Sequence, residues 1–128
     1  YIANEVVKQM IKRDMPVKDS KILVLGITFK ENCPDVRNTR VVDIIAELQS
    51  YDIALTVYDP WASADEVMHE YGVTTTNQLP EKGQYNAVVL AVAHNEFLDN
   101  NWKDWLAPGG IIYDVKGCLD RSGVDARL

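Results

Sequence analysis

The chain has 128 residues, which suffices for one domain with a single hydrophobic core. Hydrophobic residues make up 47% of it and charged residues 25%, and these values exclude disordered, collagen-like and coiled-coil classes. The formal net charge of -6 argues against a nucleic-acid partner, and no apolar run approaches the roughly 18 residues of a membrane span, so we expect neither nucleic-acid nor membrane binding.

The first predicted elements are a helix and a strand. Residues 2–14 repeat apolar side chains at helical spacing, and this helix should end at Met15 because Pro16 pushes the preceding residue out of the helical region. The chain enters the pattern at Tyr1 without a methionine, so we expect a piece of a longer protein. Residues 21–26 form a continuous apolar run closed by a glycine, which is typical of a strand buried on both faces of a parallel sheet.

The remaining pattern alternates strands and helices. In order, it predicts a helix through 41–48 capped by Asn38 or Thr39, a strand at 54–59, a helix at 63–71, a short strand at 72–76, a strand at 86–92, a helix at 94–105, a turn at 108–110 and a strand at 111–115. Alternation of this kind indicates a Rossmann-like α/β three-layer sandwich with a mainly parallel sheet of about five or six strands, preceded by one helix. Ligands of such sheets bind beyond the carboxyl ends of the strands, so the loops there should carry function.

The cysteines and histidines offer no metal or disulfide framework. Cys33 and Cys118 lack a CxxC spacing, so we predict neither a zinc site nor a disulfide and expect a reducing cytoplasm. His69 and His94 have no paired ligand nearby and are interpreted as ordinary surface or capping histidines.

The first strand is followed by only part of a dinucleotide-binding pattern. The G-x-G-x-x-G fingerprint is absent, because Gly26 is followed by Ile27, Thr28 and Phe29 without a second glycine. Asp59 ends the second strand, where such domains place a ribose-binding acid, but the position fits strand-end turn chemistry equally well. An independent NAD-binding fold is therefore disfavoured.

The loop at residues 27–40 concentrates positive charge. Its net charge is +1, in a chain whose net charge is -6. The charged residues are the cations Lys30, Arg37 and Arg40 and the carboxylates Glu31 and Asp35. With a helix beginning near Thr39, this loop favours a phosphate or diphosphate. The alternative is that Arg40 pairs with Asp43 and Lys30 is merely solvated. Cys33 has cations beside it but no histidine nearby in sequence, and Pro34 indicates a fixed turn, so a small loop residue is the preferred interpretation.

Seven short motifs, in this order along the chain, resemble the C-terminal domain of the UDP-glucose/GDP-mannose dehydrogenase family. They are Leu23-Val24-Leu25-Gly26, Phe29-Lys30, Asp35-Val36-Arg37, Val42-Asp43, Tyr58-Asp59-Pro60, Ala91-Val92-Ala93-His94 and Asp114-Val115-Lys116-Gly117. The stretch at 31–39 is most similar to the bacterial branch, of the Vi-polysaccharide type, that oxidises UDP-N-acetylhexosamines for capsule and O-antigen sugars.

The resemblance implies an enzyme in three parts: an N-terminal NAD-binding Rossmann domain, a central helical dimerisation segment and a C-terminal UDP-binding domain. Residues 1–18 would then be the end of the central helix and residues 19–128 the UDP-sugar-binding domain, inactive alone, of a cytoplasmic homodimer. Family enzymes oxidise the sugar C6 alcohol to a carboxylate in two NAD-dependent steps through a cysteine whose motif is absent from these residues, so no catalytic residue is expected here. The rival hypothesis is a non-catalytic nucleotide-binding module for regulation or oligomerisation.

The resemblance also implies roles for four residues. Phe29 and Lys30 match a pair that contacts the UDP-sugar, and Lys116 falls near an arginine that helps to hold the substrate, although many members have that arginine at or next to this position. Arg37 matches an arginine that reaches NAD in the neighbouring domain. A compact ammonium group suits a diphosphate or sugar oxygen as a point charge, while a planar guanidinium suits bidentate phosphate contact.

Overall fold

A computed structural model describes residues 1–117, Leu119 and 124–127, and in this part of the chain five strands form one parallel sheet. The strands are β1 (Lys21–Leu25), β2 (Ala54–Tyr58), β3 (Tyr85–Leu90), β4 (Leu106–Asp114) and β5 (Ala126–Arg127). Their order is β2-β1-β3-β4-β5, so the winding reverses between β1 and β3, which makes this the topological switch point. The predicted parallel α/β sheet is confirmed. It has five strands in the described residues, the lower of the two expected numbers, and β5 contains only two residues.

Helices cover both faces of the sheet. They are α1 (Ile2–Lys12), α2 (Val41–Gln49), α3 (Ala64–Tyr71), α4 (Asn95–Leu98) and a 3-10 turn (Trp102–Trp105). Side chains of β1 alternate between the faces, so Ile22 and Val24 pack with α1, α2 and α3, while Leu23 and Leu25 pack with α4 and the 3-10 turn. The result is the three-layer sandwich that the sequence predicts.

Helix α1 shares its core with the sheet. Four of its residues are buried in the same cluster as Ile22 and Val24: Ala3, Val6, Val7 and Met10. The helix contacts α2, β3 and β4 through this buried stripe, while Ile11 near its C-terminal end stays exposed. The assignment of residues 1–18 to a longer central helix stays a prediction.

Three predicted elements differ from the structure. The stretch 72–76 is not a strand: it makes one isolated bridge, between Thr76 and Tyr58, because its small polar residues offer no apolar face to bury. The single helix predicted over 94–105 is divided into α4 and the 3-10 turn, since the Asn101 side chain accepts the Lys103 N–H and caps the second piece. The predicted turn at 108–110 lies within β4, where Gly109 has a φ of 81° and the pairing register with β3 shifts.

Gly26 sets the direction in which the chain leaves β1. Its φ is 93°, and a Cβ atom there would lie 2.5 Å from the Cβ of Val92. Its N–H donates to the Tyr58 carbonyl oxygen at 2.9 Å. Only glycine fits this contact, which brings the loops after β1 and β3 together at the switch point. No helix in the described ranges is long and apolar enough to cross a membrane.

Candidate functional site

Asp59 lies at the carboxyl edge of the sheet, directly after the outermost strand β2, and it is only 1% exposed. Its Oδ2 atom accepts the N–H groups of Ile27 at 2.7 Å and Thr28 at 3.2 Å, and it lies 3.0 Å from His94 Nε2. Its Oδ1 atom accepts, at 2.7 and 3.1 Å, the N–H groups of two residues in the following loop, Trp61 and Ala62. Burial alone would raise the pKa of Asp59, but hydrogen bonds from His94, then Ile27 and Trp61, outweigh burial and hold that pKa below its ordinary value.

This geometry decides between the two roles that the sequence left open for Asp59. In a dinucleotide-binding domain the first N–H groups after β1 face the pyrophosphate. Here the N–H groups of Ile27 and Thr28 face the Asp59 carboxylate instead. Asp59 is therefore an internal anion that closes the loop, and neither oxygen is left for a ribose hydroxyl.

His94 is the residue that sequence reasoning missed. The interpretation of it as a surface or capping histidine is wrong, because its side chain is fully buried and no side-chain bond caps α4. Its Nε2 atom lies 3.1 Å from Thr28 Oγ1 in addition to Asp59, and its Nδ1 atom accepts the Asn32 N–H at 2.9 Å. The available signal was its place directly after the buried run of β3, at the switch point. His69 is exposed on α3, as predicted.

Phe29 and Lys30 are both exposed on the loop that this buried network holds. The Phe29 side chain is 57% exposed, while its N–H donates to the Asp35 carbonyl oxygen at 2.7 Å. The Lys30 carbonyl oxygen accepts the Thr28 hydroxyl at 2.9 Å. These hydrogen bonds fix the backbone of the loop, so the Phe29 ring and the Lys30 ammonium group are exposed at the carboxyl edge of the sheet.

Lys116 is exposed at the same edge, after β4. The buried Asp114 carboxylate shapes its turn by accepting the N–H groups of Lys116 at 3.1 Å, Gly117 at 2.8 Å and Leu119 at 2.8 Å. Strand β4 is two strands from β1, a separation of about 10 Å, so the fold brings Lys116 and Lys30 to one edge on either side of the loop after β3.

Arg37 lies beside α3, where it lines a surface cavity with Glu70 and Tyr71 of that helix. Its guanidinium forms a two-point pair with the Asp35 carboxylate at 3.0 and 3.1 Å, and its side chain is 75% exposed. The hydrogen bond to Asp35 raises the pKa of Arg37, with smaller contributions from Glu66 and Glu70 of α3. Arg37 therefore faces the α3 side, and its exposed pair is weak enough to open for another anion.

Two further residues of the charged loop, Arg40 and Cys33, were given alternative roles from the sequence. Arg40 is exposed and forms no ion pair with Asp43 in the described part of the chain. Cys33 is a half-buried free thiol, and both nitrogens of the nearby His94 ring are already hydrogen-bonded, so no described histidine serves it as a base. Cys118 lies outside the described residues.

Comparison with known proteins adds three findings. The model of the UDP-glucose/GDP-mannose dehydrogenase family, UDP binding domain, matches residues 23–121. UDP-N-acetyl-D-glucosamine 6-dehydrogenases of Pseudomonas aeruginosa and Salmonella typhi are 45% and 38% identical to the chain over its whole length, which spans 31% of each of them. The structure of UDP-D-ManNAc dehydrogenase from Pyrococcus horikoshii superimposes with a TM-score of 0.74 at 19% identity, covering 98% of this chain and 29% of that one, and this likeness shows the fold.

Proposed function

The chain belongs to the UDP-glucose/GDP-mannose dehydrogenase family, and we propose that it is the UDP-sugar-binding domain of an NAD-dependent nucleotide-sugar 6-dehydrogenase. The whole enzyme oxidises the C6 alcohol of a UDP-N-acetylhexosamine to a carboxylate for capsule or O-antigen polysaccharide. The substrate class is supported by the relatives named UDP-N-acetyl-D-glucosamine 6-dehydrogenase and, at 38% identity, the Staphylococcus aureus protein CapL.

The observation that carries this proposal is the exposed Phe29-Lys30 pair on an internally fixed loop at the carboxyl edge. An ammonium group at Lys30 supplies a charge for the diphosphate or a sugar oxygen, and Lys116 adds a second cation two strands away. The Phe29 ring offers an apolar surface for the nucleotide or sugar. These three residues are the proposed substrate-binding set.

NAD does not fit the switch point of this domain. The fingerprint glycines are missing and the Asp59 carboxylate already accepts the N–H groups that a pyrophosphate would need. We propose that the cofactor is bound mainly by a separate Rossmann domain outside these residues. Arg37 is proposed to contact NAD, supported by its exposed guanidinium beside α3, in a cavity that neither Lys30 nor Lys116 lines.

The chemistry is also proposed to lie outside this chain. Converting an alcohol to a carboxylate removes four electrons, which requires two hydride transfers to two NAD molecules. We place the covalent cysteine of such a reaction outside these residues, because the cysteine motif that the family resemblance implies is absent from them and no described histidine is free to serve Cys33 as a base. The proposed assembly is a cytoplasmic homodimer joined by central helices that precede this domain.

The test uses the full-length protein with UDP-N-acetylglucosamine and NAD. Formation of two NADH molecules per sugar is expected, and Lys30→Ala should raise the substrate KM about tenfold to a hundredfold, since a hydrogen bond to a charged group contributes about 1.5–3 kcal/mol. The control is Lys21→Ala, at an exposed position at the start of β1 and thus at the opposite edge of the sheet, which should behave as the wild type. Absence of NADH with any UDP-sugar would refute the proposed activity, and an unchanged KM in Lys30→Ala would refute the proposed site.

A further inference from the structure

His94 joins three loops of the carboxyl edge from a fully buried position. It follows β3, yet it contacts Thr28 and Asn32 in the loop after β1 and Asp59 at the end of β2. A buried imidazole cannot touch a substrate, so its three contacts must act on the loops themselves.

The proton on the His94 ring has one consistent position. The Thr28 hydroxyl donates to the Lys30 carbonyl oxygen, so its own oxygen is left to accept. Asp59 is ionised and only accepts, while the Asn32 N–H can only donate. Nε2 therefore carries the proton toward Asp59 and Thr28, and Nδ1 uses its lone pair for Asn32.

Two aromatic rings fix the orientation of this imidazole. Trp61 is stacked against it with ring centroids 6.0 Å apart, and Phe97 is tilted against it at 5.3 Å. The Trp61 indole N–H is itself held by Glu96 Oε1 at 3.0 Å. A ring flipped by half a turn would place carbon atoms where both nitrogens now form hydrogen bonds, so these bonds favour the observed orientation.

Asn32 receives a second tie from the same side. Its Oδ1 atom accepts the N–H of Asn95, the first residue of α4, at 2.9 Å. With a φ of 55°, Asn32 adopts a left-handed conformation that asparagine tolerates better than most residues. Thr28 and Asn32 thus bound a short segment that is anchored at both ends, and Phe29 and Lys30 lie between the anchors.

We propose that His94 is a positioning residue for nucleotide-sugar binding: its Nδ1 atom holds Asn32, and its Nε2 atom holds Thr28 and Asp59, so that Phe29 and Lys30 are preorganised for a UDP-sugar. This inference rests on the proposed function. It assigns the buried imidazole the task of fixing the loop before the ligand arrives, which lowers the ordering cost of binding.

Two substitutions in the full-length enzyme separate the two ends of the ring. The amide of His94→Asn places an oxygen near the former Nδ1 and can still accept the Asn32 N–H. The amide of His94→Gln places an NH₂ group near the former Nε2 and can still donate to Asp59, but it leaves Asn32 without its acceptor. His69→Gln, at an exposed position on α3, is the matched control.

We expect both His94 variants to lose thermal stability, but only His94→Gln to raise the KM for UDP-N-acetylglucosamine about tenfold, with kcat and the NAD KM within about twofold. His94→Asn and His69→Gln should keep a KM within about twofold of the wild type. Hydrogen exchange of peptides covering residues 27–33 should be faster in His94→Gln than in His94→Asn. Equal KM values in the two variants, or a KM that follows the melting temperature, would overturn the proposal.

A third variant serves if neither His94 variant folds. Asn95→Pro removes the N–H that holds Asn32 Oδ1, and proline is well accepted as the first residue of a helix. His94 already has φ of -61° and ψ of 145°, a conformation that a residue before proline prefers. A KM raised about threefold with faster exchange at 27–33 supports the proposal, and no change in either overturns it.

The exchange measurement also separates this inference from the proposed function. If the wild-type enzyme forms no NADH with any UDP-sugar, the activity is refuted. Exchange at residues 27–33 still decides whether His94 fixes the loop, because equal exchange in His94→Asn and His94→Gln would overturn that role by itself.

Discussion

Replacing Asp59 by asparagine should be among the most destabilising single substitutions in this domain. The carboxylate offers an accepting oxygen on each side, toward Ile27 and Thr28 on one and toward Trp61 and Ala62 on the other. An amide has one oxygen, so in either orientation two backbone N–H groups meet an NH₂ group instead of an acceptor. At about 1–3 kcal/mol for each unsatisfied buried donor, the free energy of unfolding should fall by about 2–6 kcal/mol.

This loss is large beside the roughly 5–15 kcal/mol that stabilises an ordinary domain. Urea unfolding of the 128-residue chain at pH 7, followed by the fluorescence of its three tryptophans, measures it directly. Asp43→Asn, at an exposed position in the first turn of α2, is the control and should cost no more than about 0.3–1 kcal/mol.

The pH dependence gives an independent check on Asp59. Because its pKa is lower in the folded chain than in the unfolded chain, its stabilising contribution is complete above the ordinary pKa and is lost as the pH falls through the folded pKa. The gap between wild type and Asp59→Asn should therefore be constant from about pH 7 to 5 and narrow below about pH 4. A loss under about 1 kcal/mol at pH 7, or a gap that stays constant in acid, would refute the reasoning.

Three further predictions concern neighbouring positions. Gly26→Ala should lower the free energy of unfolding by about 2–5 kcal/mol, measured with urea. Adding Val92→Ala should not restore stability, because the clash is with a Cβ atom that alanine retains. Restored stability in the double variant would refute the contact. In the full-length enzyme, Arg37→Ala should raise the KM for NAD while leaving the substrate KM near its wild-type value, and the reverse pattern would exchange its role with that of Lys30. Cys33→Ser should keep a near-normal turnover, and an inactive but folded enzyme would contradict its assignment as a loop residue.

The parallel sheet could be predicted because its signal is local. The apolar runs at 22–25 and 87–90 are uninterrupted, so their burial on both faces follows from composition alone. The strand predicted at 72–76 was wrong because this stretch has no strong local signal. It makes one isolated bridge with Tyr58, and no local sequence pattern predicts that contact.

The exposed loop position of Phe29 and Lys30 could be foreseen, and their role in binding stays a prediction, whereas the buried network beneath them could not be foreseen. Phe29 and Lys30 stand out as an aromatic residue and a cation in the loop that follows the first strand. Asp59 and His94 are separated by 35 residues, and only the strand order brings them within 3.0 Å. A buried polar pair of this kind follows from topology, which a single sequence does not encode at any fixed spacing.

The five hydrogen bonds on Asp59 also limit how this domain can change its ligand during evolution. A carboxylate fixed against the loop after β1 repels any phosphate that approaches the same N–H groups, so introducing glycines into that loop would not by itself create a dinucleotide site. Asp59 and His94 would have to be replaced together, and each single replacement passes through a less stable protein. Ligand preference in this domain is thus constrained by the stability of its buried network. Substitutions at the exposed ligand-facing surface do not remove that constraint.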